Sequence, residues 1–297
     1  MADKSKAIFY MMLSVASLSL MQFFINLSGE HGDVYLQVFS RNFLGIFLCI
    51  YFIRKEKVSY FGDLKSQPYL LARSLVGFLG LLFTFYAVKH AYLADASIVL
   101  RTGPFFTTLV SVIFLKERLN KVQVPVLVVI FAGGWLAANP RFDSSFIPLG
   151  CALLAAVCQG ICYPLLRYFR EHEHGMTVIM HFSTFCCLGC LPFMAKGVLM
   201  PQGIHILYLI LIAITGALGQ IFLTYAYRIG PASEIAIYDQ FSVVFALVLG
   251  ALFLNQIPTA RTMVGGLLIV GASLFSYFYS TKVDFKENKR AVNGNGN

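Results

Sequence analysis

Apolar residues fill ten stretches of this sequence, and short polar segments separate them. A transmembrane helix needs about 20 consecutive, predominantly apolar residues to span the roughly 30 Å hydrocarbon core of a bilayer. Each stretch has about that length, so each is read as a transmembrane helix. The pattern predicts helices near residues 7–27, 34–53, 67–88, 93–115, 121–139, 146–167, 176–195, 203–226, 232–254 and 261–280.

The composition indicates that lipid surrounds most of these side chains. Hydrophobic residues make up 58% of the 297 residues and charged residues only 12%, whereas about 25% charged residues is typical of soluble proteins. We therefore predict an all-α polytopic membrane protein embedded in the lipid bilayer. The seven cysteines all lie in apolar stretches, which favours packing over a disulfide framework or a metal site.

The basic residues behind the net charge of +9 fall mainly on one side of the predicted membrane. If the N-terminus is cytoplasmic, sixteen of the 23 lysines and arginines fall in cytoplasmic segments and four fall outside, as the positive-inside rule requires. Three more lie within spans. The count predicts that both termini are cytoplasmic, and it leaves no basic patch for nucleic acid. Residues 282–297 lack apolar periodicity and are predicted to be a disordered, solvated tail.

The sequence contains an internal repeat. Residues 86–119 align without gaps on residues 225–258, an offset of 139 that matches Asp95 with Glu234. A five-helix unit is thus duplicated, and because five is odd the two copies enter the membrane from opposite sides. Inverted repeats are typical of secondary transporters, which bind substrate near the midplane between the halves. We divide the chain into a first repeat, a second repeat and the tail, at residues 1–140, 141–281 and 282–297.

The stretch "LARSLVGFLGLLFTFYAVKHAYLADASIVLRTGPFFTTLVSVIFLKERL" resembles the EamA family of the drug/metabolite transporter superfamily. The resemblance rests on the Arg and Gly that open the third helix, the Ala-acid-Ala start of the fourth, its proline, and the L-x-E-R ending that contains Glu117. It implies ten helices in two inverted halves that carry small organic metabolites across a cytoplasmic, bacterial inner membrane by alternating access, without ATP. The second repeat departs from the pattern, with Gln256 in place of the acid and Val243 in place of the proline.

Three arginines inside predicted spans are the first candidates for a site: Arg41, Arg73 and Arg101. Exposed to lipid, the three charges would together cost roughly 8 to 10 kcal/mol. They must be paired, hydrated in a cavity, or bound to an anion, and a guanidinium suits bidentate binding of a carboxylate. For Arg41 and Arg73 the alternative is a side chain that snorkels to the interface.

Helical spacing gives two of these arginines polar faces. Arg101 shares a face with Ser97, Pro104 and Thr108, and Arg73 shares one with Gly77, Gly80 and Thr84. Asp239 is the counterpart of Leu100 in the repeat, and Leu100 is next to Arg101. The pseudo-two-fold axis relates the fourth and ninth helices and brings them together in the cavity, so a contact between Asp239 and Arg101 is predicted. The excess positive charge predicts an anionic or zwitterionic small-molecule substrate. The alternatives are an exporter of lipophilic cations and a membrane receptor that only binds.

Amides and aromatic residues complete the predicted binding set, namely Gln22, Gln159, Tyr163 and Tyr238, with Gln22 and Gln159 matched by the repeat. Predicted gating or coupling residues are Asp95, Glu234, Glu117 and His181. For each a structural role is the alternative: helix-dipole partners for the first two, an interfacial ion pair for Glu117, and packing with one hydrogen bond for His181. Coupling to a proton and a homodimer both stay open.

Catalytic motifs are absent from the sequence. It contains no G-x-x-x-x-G-K-[ST] phosphate loop, which argues against direct use of ATP. It also lacks G-x-S-x-G, H-E-x-x-H and a clustered acidic pair. We therefore expect no enzymatic activity, no cofactor and no metal.

Overall fold

The computed structural model of the chain describes residues 2–29, 32–90, 99–100, 102–117, 122–138, 146–253 and 260–294. Within these ranges it is built of helices without strands. A short 3-10 turn, Leu64–Ser66, precedes the third helix. The helices are α1 Ala2–Ser28, α2 Val34–Glu56, α3 Gln67–His90, α4 Gly103–Phe114, α5 Gln123–Ala138, α6 Phe146–Tyr168, α7 Gly175–Met194, α8 Ile204–Ile229, α9 Ala232–Asp239, α10 Ser242–Phe253 and α11 Ala260–Gly294.

Polar residues at the helix ends explain several of these boundaries. The Asp33 carboxylate accepts a hydrogen bond from Leu36 N–H at 2.9 Å and so caps α2. At the other end of α2, Lys57 adopts a left-handed conformation with φ 54° and stops the helix. Five helical segments are long and apolar enough to cross a membrane: Lys4–Ile25, Val34–Glu56, Phe146–Tyr168, Gly175–Met194 and Ile204–Ile229. The protein is therefore an all-helical polytopic membrane protein.

The fourth and ninth predicted spans are interrupted in the structure. Leu100 is helical, Thr102 lies in a turn, and α4 begins at Gly103. Pro104 explains this break, because its ring excludes the carbonyl of Leu100, four residues earlier, and offers it no N–H. In the second repeat, α10 begins at Ser242, which the 139-residue offset places on Gly103. Apolar length alone predicted continuous helices here, and that prediction was wrong.

The last helix is longer than its apolar stretch. α11 continues to Gly294, so residues 282–294 are helical where composition predicted a disordered tail. Lysine, glutamate, arginine and alanine in this segment are good helix formers. An existing helix also extends without paying again for nucleation. The low hydrophobicity of this segment argues against its packing in a core, but it does not prevent the segment from forming a helix.

The helices pack as an inverted repeat. α1 packs on α8 as α6 packs on α3, and α2 packs on α8 as α7 packs on α3. Likewise α1 contacts α10 as α6 contacts α4. The pairs α2 with α7 and α5 with α11 join equivalent helices of the two repeats. Each of these contacts crosses between repeats, so the halves interlock and form one helical bundle.

Close approach at the third helix of each repeat depends on glycine. α3 carries a Gly-x-x-Gly pair, and α8 carries its counterpart at the 139-residue offset. A Cβ added at Gly77 would lie 2.9 Å from Phe182 Cε2, and one at Gly216 would lie 3.1 Å from Arg41 Cβ. With a Cβ at Gly77 the Phe182 ring would have to shift, and with one at Gly216 Arg41 would have to give way by a few tenths of an ångström. Both helices thereby bring their neighbours α7 and α2 close to the centre of the bundle.

Candidate functional site

A cavity of about 90 Å³ lies at the centre of the bundle, between α2, α3, α6, α7 and α8. Its lining is unusually polar for the interior of a membrane protein. Phe182, Cys158 and Cys162 contribute less polar surface. Gly77 and Gly80 have no side chains, so they leave space for the cavity. The polar lining residues are Arg41, Arg73, Thr84, Gln159, Tyr163 and Gln220.

Arg41 enters the cavity from α2 and is anchored by neutral partners. Its Nη2 donates to Gln220 Oε1 at 3.2 Å, and its Nη1 donates to Met21 Sδ at 3.8 Å. Gln220 in turn donates from Nε2 to Thr224 Oγ1 at 3.4 Å. The Arg41 side chain is only 6% exposed. The charge is thus positioned by an amide and a thioether.

Arg73 enters the same cavity from α3, and its environment is different. The residue is 3% exposed, and its Nε and Nη1 have no hydrogen-bond partner among the described residues. The guanidinium carbon lies 3.8 Å from the centroid of the Phe182 ring, a cation–π contact. Both arginines are therefore buried in the protein, and neither snorkels to an interface.

The charge of the cavity is not balanced by its own lining. Among the lining residues that the structure describes there is no aspartate or glutamate. Tyr163 lies within electrostatic range of Arg41, Arg73 and Asp239, and its ring stacks on Tyr227 with centroids 4.5 Å apart. Within the same described ranges, no three His, Cys, Asp or Glu side chains come together as metal ligands. The site presents positive charge to whatever enters it.

Helical spacing correctly predicted which face of α3 is polar and turned inward. Arg73, Gly77, Gly80 and Thr84 all line the cavity, as their spacing indicated. Arg41, Gln159 and Tyr163, predicted from other helices, lie there too. On α4, Pro104 and Thr108 are buried, which confirms for the described part of that helix that its polar stripe faces away from lipid.

Other predicted binding residues lie elsewhere or outside the described ranges. Gln22 is exposed, although the repeat matches it with cavity-lining Gln159. Tyr238 packs in a core cluster with Leu70, Phe169, Tyr227 and Ile235, and Asp239 is half-buried at the end of α9. Arg101 and Asp95 fall outside the described residues, and with them the predicted contact between Arg101 and Asp239.

A second polar cluster surrounds the turn between α8 and α9. Glu117, which follows α4, accepts hydrogen bonds from Ala232 N–H at 3.0 Å and Ser233 N–H at 3.2 Å. Lys4 pairs with Glu234 at 2.6 Å. Arg167 Nη1 donates to the carbonyl oxygens that end α8, at 2.9 and 2.8 Å. We call these contacts, made by Lys4 of α1, Arg167 of α6 and Glu117 with residues 228–234, the α8–α9 turn cluster.

Two of the predicted gating residues, Glu234 and His181, make the contacts expected of a structural role. Glu234 stands in the first turn of α9, where a negative charge complements the helix dipole. His181 Nδ1 lies 2.8 Å from Ser74 Oγ, the one hydrogen bond of its ring within the part of the chain that the structure describes. Glu117 instead caps a helix of the other repeat, a role that its neighbours in sequence did not indicate.

Sequence reasoning missed Phe182, whose ring covers Arg73. In a chain with 15% aromatic residues, most aromatic side chains pack in the core or face lipid, so a single phenylalanine carried no signal. The glycines of α3 were the available signal. They predicted that something comes close to Arg73, and the structure identifies it as Phe182.

A charged cavity inside an inverted-repeat helical bundle defines this protein as a membrane transporter of small molecules. The profile of the EamA-like transporter family matches residues 5–138 and 147–278, one match in each repeat. The chain belongs to this family.

Named relatives agree with this class. The chain is 32% identical over 239 residues to the pseudopaline exporter CntI of Pseudomonas aeruginosa, covering 80% of this chain and 84% of that one. It is 26% identical to solute carrier family 35 member G1 of Homo sapiens, covering 93% and 80%. It is 24% identical to an S-adenosylmethionine uptake transporter of Rickettsia felis, covering 73% and 74%.

A solved structure shares the fold. A crystal structure 18% identical in sequence superimposes with a TM-score of 0.80, covering 94% of this chain and 99% of that one. At this level of identity the likeness concerns the arrangement of helices alone.

Proposed function

We propose that the protein is a secondary transporter that moves a small organic anion or zwitterion across the cytoplasmic membrane by alternating access, with both termini in the cytoplasm. The observation that carries the proposal is Arg73, buried in the central cavity with Nε and Nη1 unpaired among the described residues. Burial of a guanidinium without a counter-charge destabilises the folded protein, unless a ligand supplies that charge. A substrate carboxylate supplies both the charge and the hydrogen-bond acceptors.

The second arginine assists by charge. Arg41 already donates to Gln220 and Met21, so it raises the positive potential of the cavity, while Arg73 retains donors for direct contact. Gln159, Tyr163 and Thr84 line the same space and offer hydrogen bonds to the remaining polar groups of a substrate. Arg101 and Asp239 remain proposed members of the site, and Gln22 and Tyr238 would join it only in another conformation.

The α8–α9 turn cluster is the proposed gate at the cytoplasmic end. Lys4 of α1, Arg167 of α6 and Glu117, which follows α4, hold the turn, and opening that end requires these contacts to separate. Glu234 belongs to the same cluster. Asp95 and His181 remain candidates for gating or for a coupling proton, and a homodimer remains a proposal.

The relatives support a metabolite substrate without assigning it. One is named for the export of pseudopaline and another for the uptake of S-adenosylmethionine. These names concern opposite directions of transport, so the direction for this protein has to be measured. For this chain we propose only that the substrate carries an anionic group, which both arginines recognise.

The test uses purified protein and a panel of isosteric pairs: propionate, succinate, citrate and glutamate, each with the analogue in which every carboxylate is replaced by an amide. A ligand that binds only the folded state at 100 times its Kd stabilises it by about 2.7 kcal/mol. We expect carboxylates to raise the melting temperature and their amides not to. The effect should be lost in Arg73→Gln and retained in Arg54→Gln, since Arg54 is exposed and donates to the Tyr60 hydroxyl, away from the cavity.

Transport is measured separately from binding. Counterflow of the protecting carboxylate into proteoliposomes would distinguish a transporter from a receptor that only binds. Protection confined to lipophilic cations or neutral aromatic compounds would overturn the anionic substrate class, because neither brings a negative charge to the two arginines.

A further inference from the structure

The two arginines of the cavity are stabilised in different ways. Arg41 uses hydrogen bonds to Gln220 Oε1 and Met21 Sδ. Arg73 has no such bond from Nε or Nη1 within the described residues, and its guanidinium carbon lies over the Phe182 ring, 3.8 Å from the ring centroid. A cation over an aromatic face is attracted by the electron density of the ring. Phe182 is therefore the group that offsets the burial of the Arg73 charge.

The contact is built into the helix packing. Phe182 is 3% exposed and belongs to a core cluster with Val38, Phe78 and Cys186, which holds the ring in place. A Cβ at Gly77 would lie 2.9 Å from Phe182 Cε2 and 3.5 Å from Arg73 Nη1. Glycine at this position therefore keeps the space that the ring and the guanidinium share. The arrangement does not result from a loose side chain that happens to lie nearby.

An aromatic ring and a carboxylate leave a guanidinium in different states. A carboxylate would neutralise the charge and occupy the N–H groups in the plane of the guanidinium. A ring binds the face, leaves the charge uncompensated, and leaves the in-plane N–H groups available. In a cavity with no acidic residue among its described lining, this difference decides whether an anion can bind.

We propose that Phe182 is the positioning residue of this site: its ring stabilises the Arg73 charge in place of a carboxylate while no substrate is bound, and so reserves the guanidinium N–H groups for an anionic substrate group. The proposal rests on the anionic substrate of the proposed function. It adds a residue that does not itself bind the carboxylate. It also predicts that the ring matters through its electrons as well as its shape.

Fluorination separates these two contributions, because mono-, di- and trifluorinated phenylalanine keep nearly the same shape while the ring loses electron density stepwise. We expect the melting temperature of the ligand-free protein to fall stepwise when these residues replace Phe182. In the Arg73→Met protein the same series should show no trend. Phe78, which packs in the same cluster against Gly189, is the matched control, and its series should be identical in both proteins.

Equal trends with and without Arg73 would overturn the proposal, since Phe182 would then only fill space. The second measurement adds succinate, citrate or glutamate at one fixed concentration. Their stabilising effect should grow along the Phe182 series, because an anion replaces the lost contribution of the ring; an effect that is constant along the series would also overturn the proposal. A trend that depends on Arg73, with no carboxylate protecting any variant, would support the role of Phe182 and overturn the proposed substrate class.

Discussion

Glu117 and Ser233 join the two repeats: the Ser233 hydroxyl donates to Glu117 Oε2 at 2.7 Å, and the Ser233 backbone N–H donates to the same oxygen at 3.2 Å. Glu117 follows the fourth helix of the first repeat, and Ser233 lies in the first turn of α9 in the second. A carboxylate at a helix N-terminus accepts otherwise unpaired N–H groups and complements the helix dipole. One side chain thus ties the end of one helix to the start of another.

Replacing Glu117 by glutamine should loosen this end of the protein. The amide keeps one acceptor oxygen but loses the charge, and hydrogen bonds to charged groups contribute about 1.5–3 kcal/mol each. We expect the free energy of unfolding to fall by about 1–3 kcal/mol. Thermal or denaturant unfolding of the purified protein measures the change. Glu171→Gln, at an exposed glutamate of the α6–α7 loop that lies near Arg167 but does not cap α9, should have a smaller effect.

The same substitution tests the proposed gate. Cys158 lines the cavity, so its reaction with a membrane-impermeant maleimide reports access from one side. In a variant whose other six cysteines are replaced by alanine, Glu117→Gln should speed the reaction several-fold in inside-out vesicles. An unchanged rate on that side, with a measurable loss of stability, would restrict Glu117 to capping α9.

Gln220→Glu should reduce the affinity of the cavity for anions. Gln220 Oε1 is 3.2 Å from Arg41 Nη2, so a carboxylate here would pair with Arg41 and cancel one of the two charges. The new carboxylate would also repel the carboxylate of a bound anion. Two unit charges about 7 Å apart interact by roughly 2 kcal/mol at an effective dielectric constant of 20. We expect carboxylate binding to weaken by more than tenfold, and calorimetric titration measures it. Gln220→Met, which adds no charge, should change the affinity only a few-fold; equal losses in both variants would contradict this account.

Two glycines of α6 should respond to alanine with opposite signs. A Cβ at Gly160 would lie 2.8 Å from the backbone carbonyl carbon of Phe106, which cannot move as a side chain does, whereas Gly150 has nothing within 4 Å. Gly160→Ala should therefore destabilise by about 1–3 kcal/mol through overpacking. Gly150→Ala should stabilise by roughly 0.5–1 kcal/mol, because alanine is the better helix former. The unfolding midpoints of the two variants measure both effects, and a Gly160→Ala variant that is not destabilised would refute the α4–α6 contact.

Acid should destabilise the protein through His174, which lies in the loop between α6 and α7. Its Nδ1 accepts from Met176 N–H at 3.3 Å and caps α7, while its Nε2 lies 2.8 Å from Glu56 Oε2. A neutral ring with the proton on Nε2 satisfies both contacts, whereas the doubly protonated ring loses the acceptor. Burial lowers the pKa of His174 below 6.5, as Arg228 also does, while Glu56 acts in the opposite direction.

The sign of the pH effect follows from that lowered pKa. Above the unfolded-state value of about 6.5 the ring is neutral in both states, and its contribution to stability is complete. As the pH falls, the unfolded chain takes up the proton first, so stability declines down to the lower folded pKa. His174→Asn keeps a capping oxygen and does not titrate. Its melting temperature should fall less between about pH 7.5 and 5 than that of the unaltered protein; parallel profiles would exclude His174 as the cause.

The sequence was sufficient to predict the helices and one face of the site. Apolar length located the spans, and three- and four-residue spacing placed Arg73 and Thr84 on the inward face of α3. These features are local, because they depend only on helix geometry and on the cost of polar groups in lipid. The counterpart of Gln159 shows the limit. Gln22 matches it in the repeat but is exposed, since equivalence in sequence fixes the position on a helix and not which neighbours cover it.

What the sequence could not predict depends on contacts between distant helices. Glu117 has two basic neighbours in the chain, which suggested an ion pair, yet it bonds α9, 115 residues away. The cation–π contact of Arg73 with Phe182 likewise joins α3 to α7. The break before α10 is also not visible in the apolar pattern, because Val243 stands where the first repeat has its proline. Such contacts are decided by packing, for which one sequence carries no direct signal.

The exchange symmetry of the helix contacts has an energetic consequence. If the first repeat took the shape of the second and the second took the shape of the first, the contact of α1 with α8 would become that of α6 with α3, and the reverse. The same packed surfaces would be re-formed in the new state, at the opposite face of the membrane. The two end states therefore differ little in backbone packing, and the bias between them lies in the few side chains that break the symmetry. Glu117, with Gln256 as its counterpart, is one of these, so in the proposed alternating-access cycle this one carboxylate would favour the state in which its own end is closed.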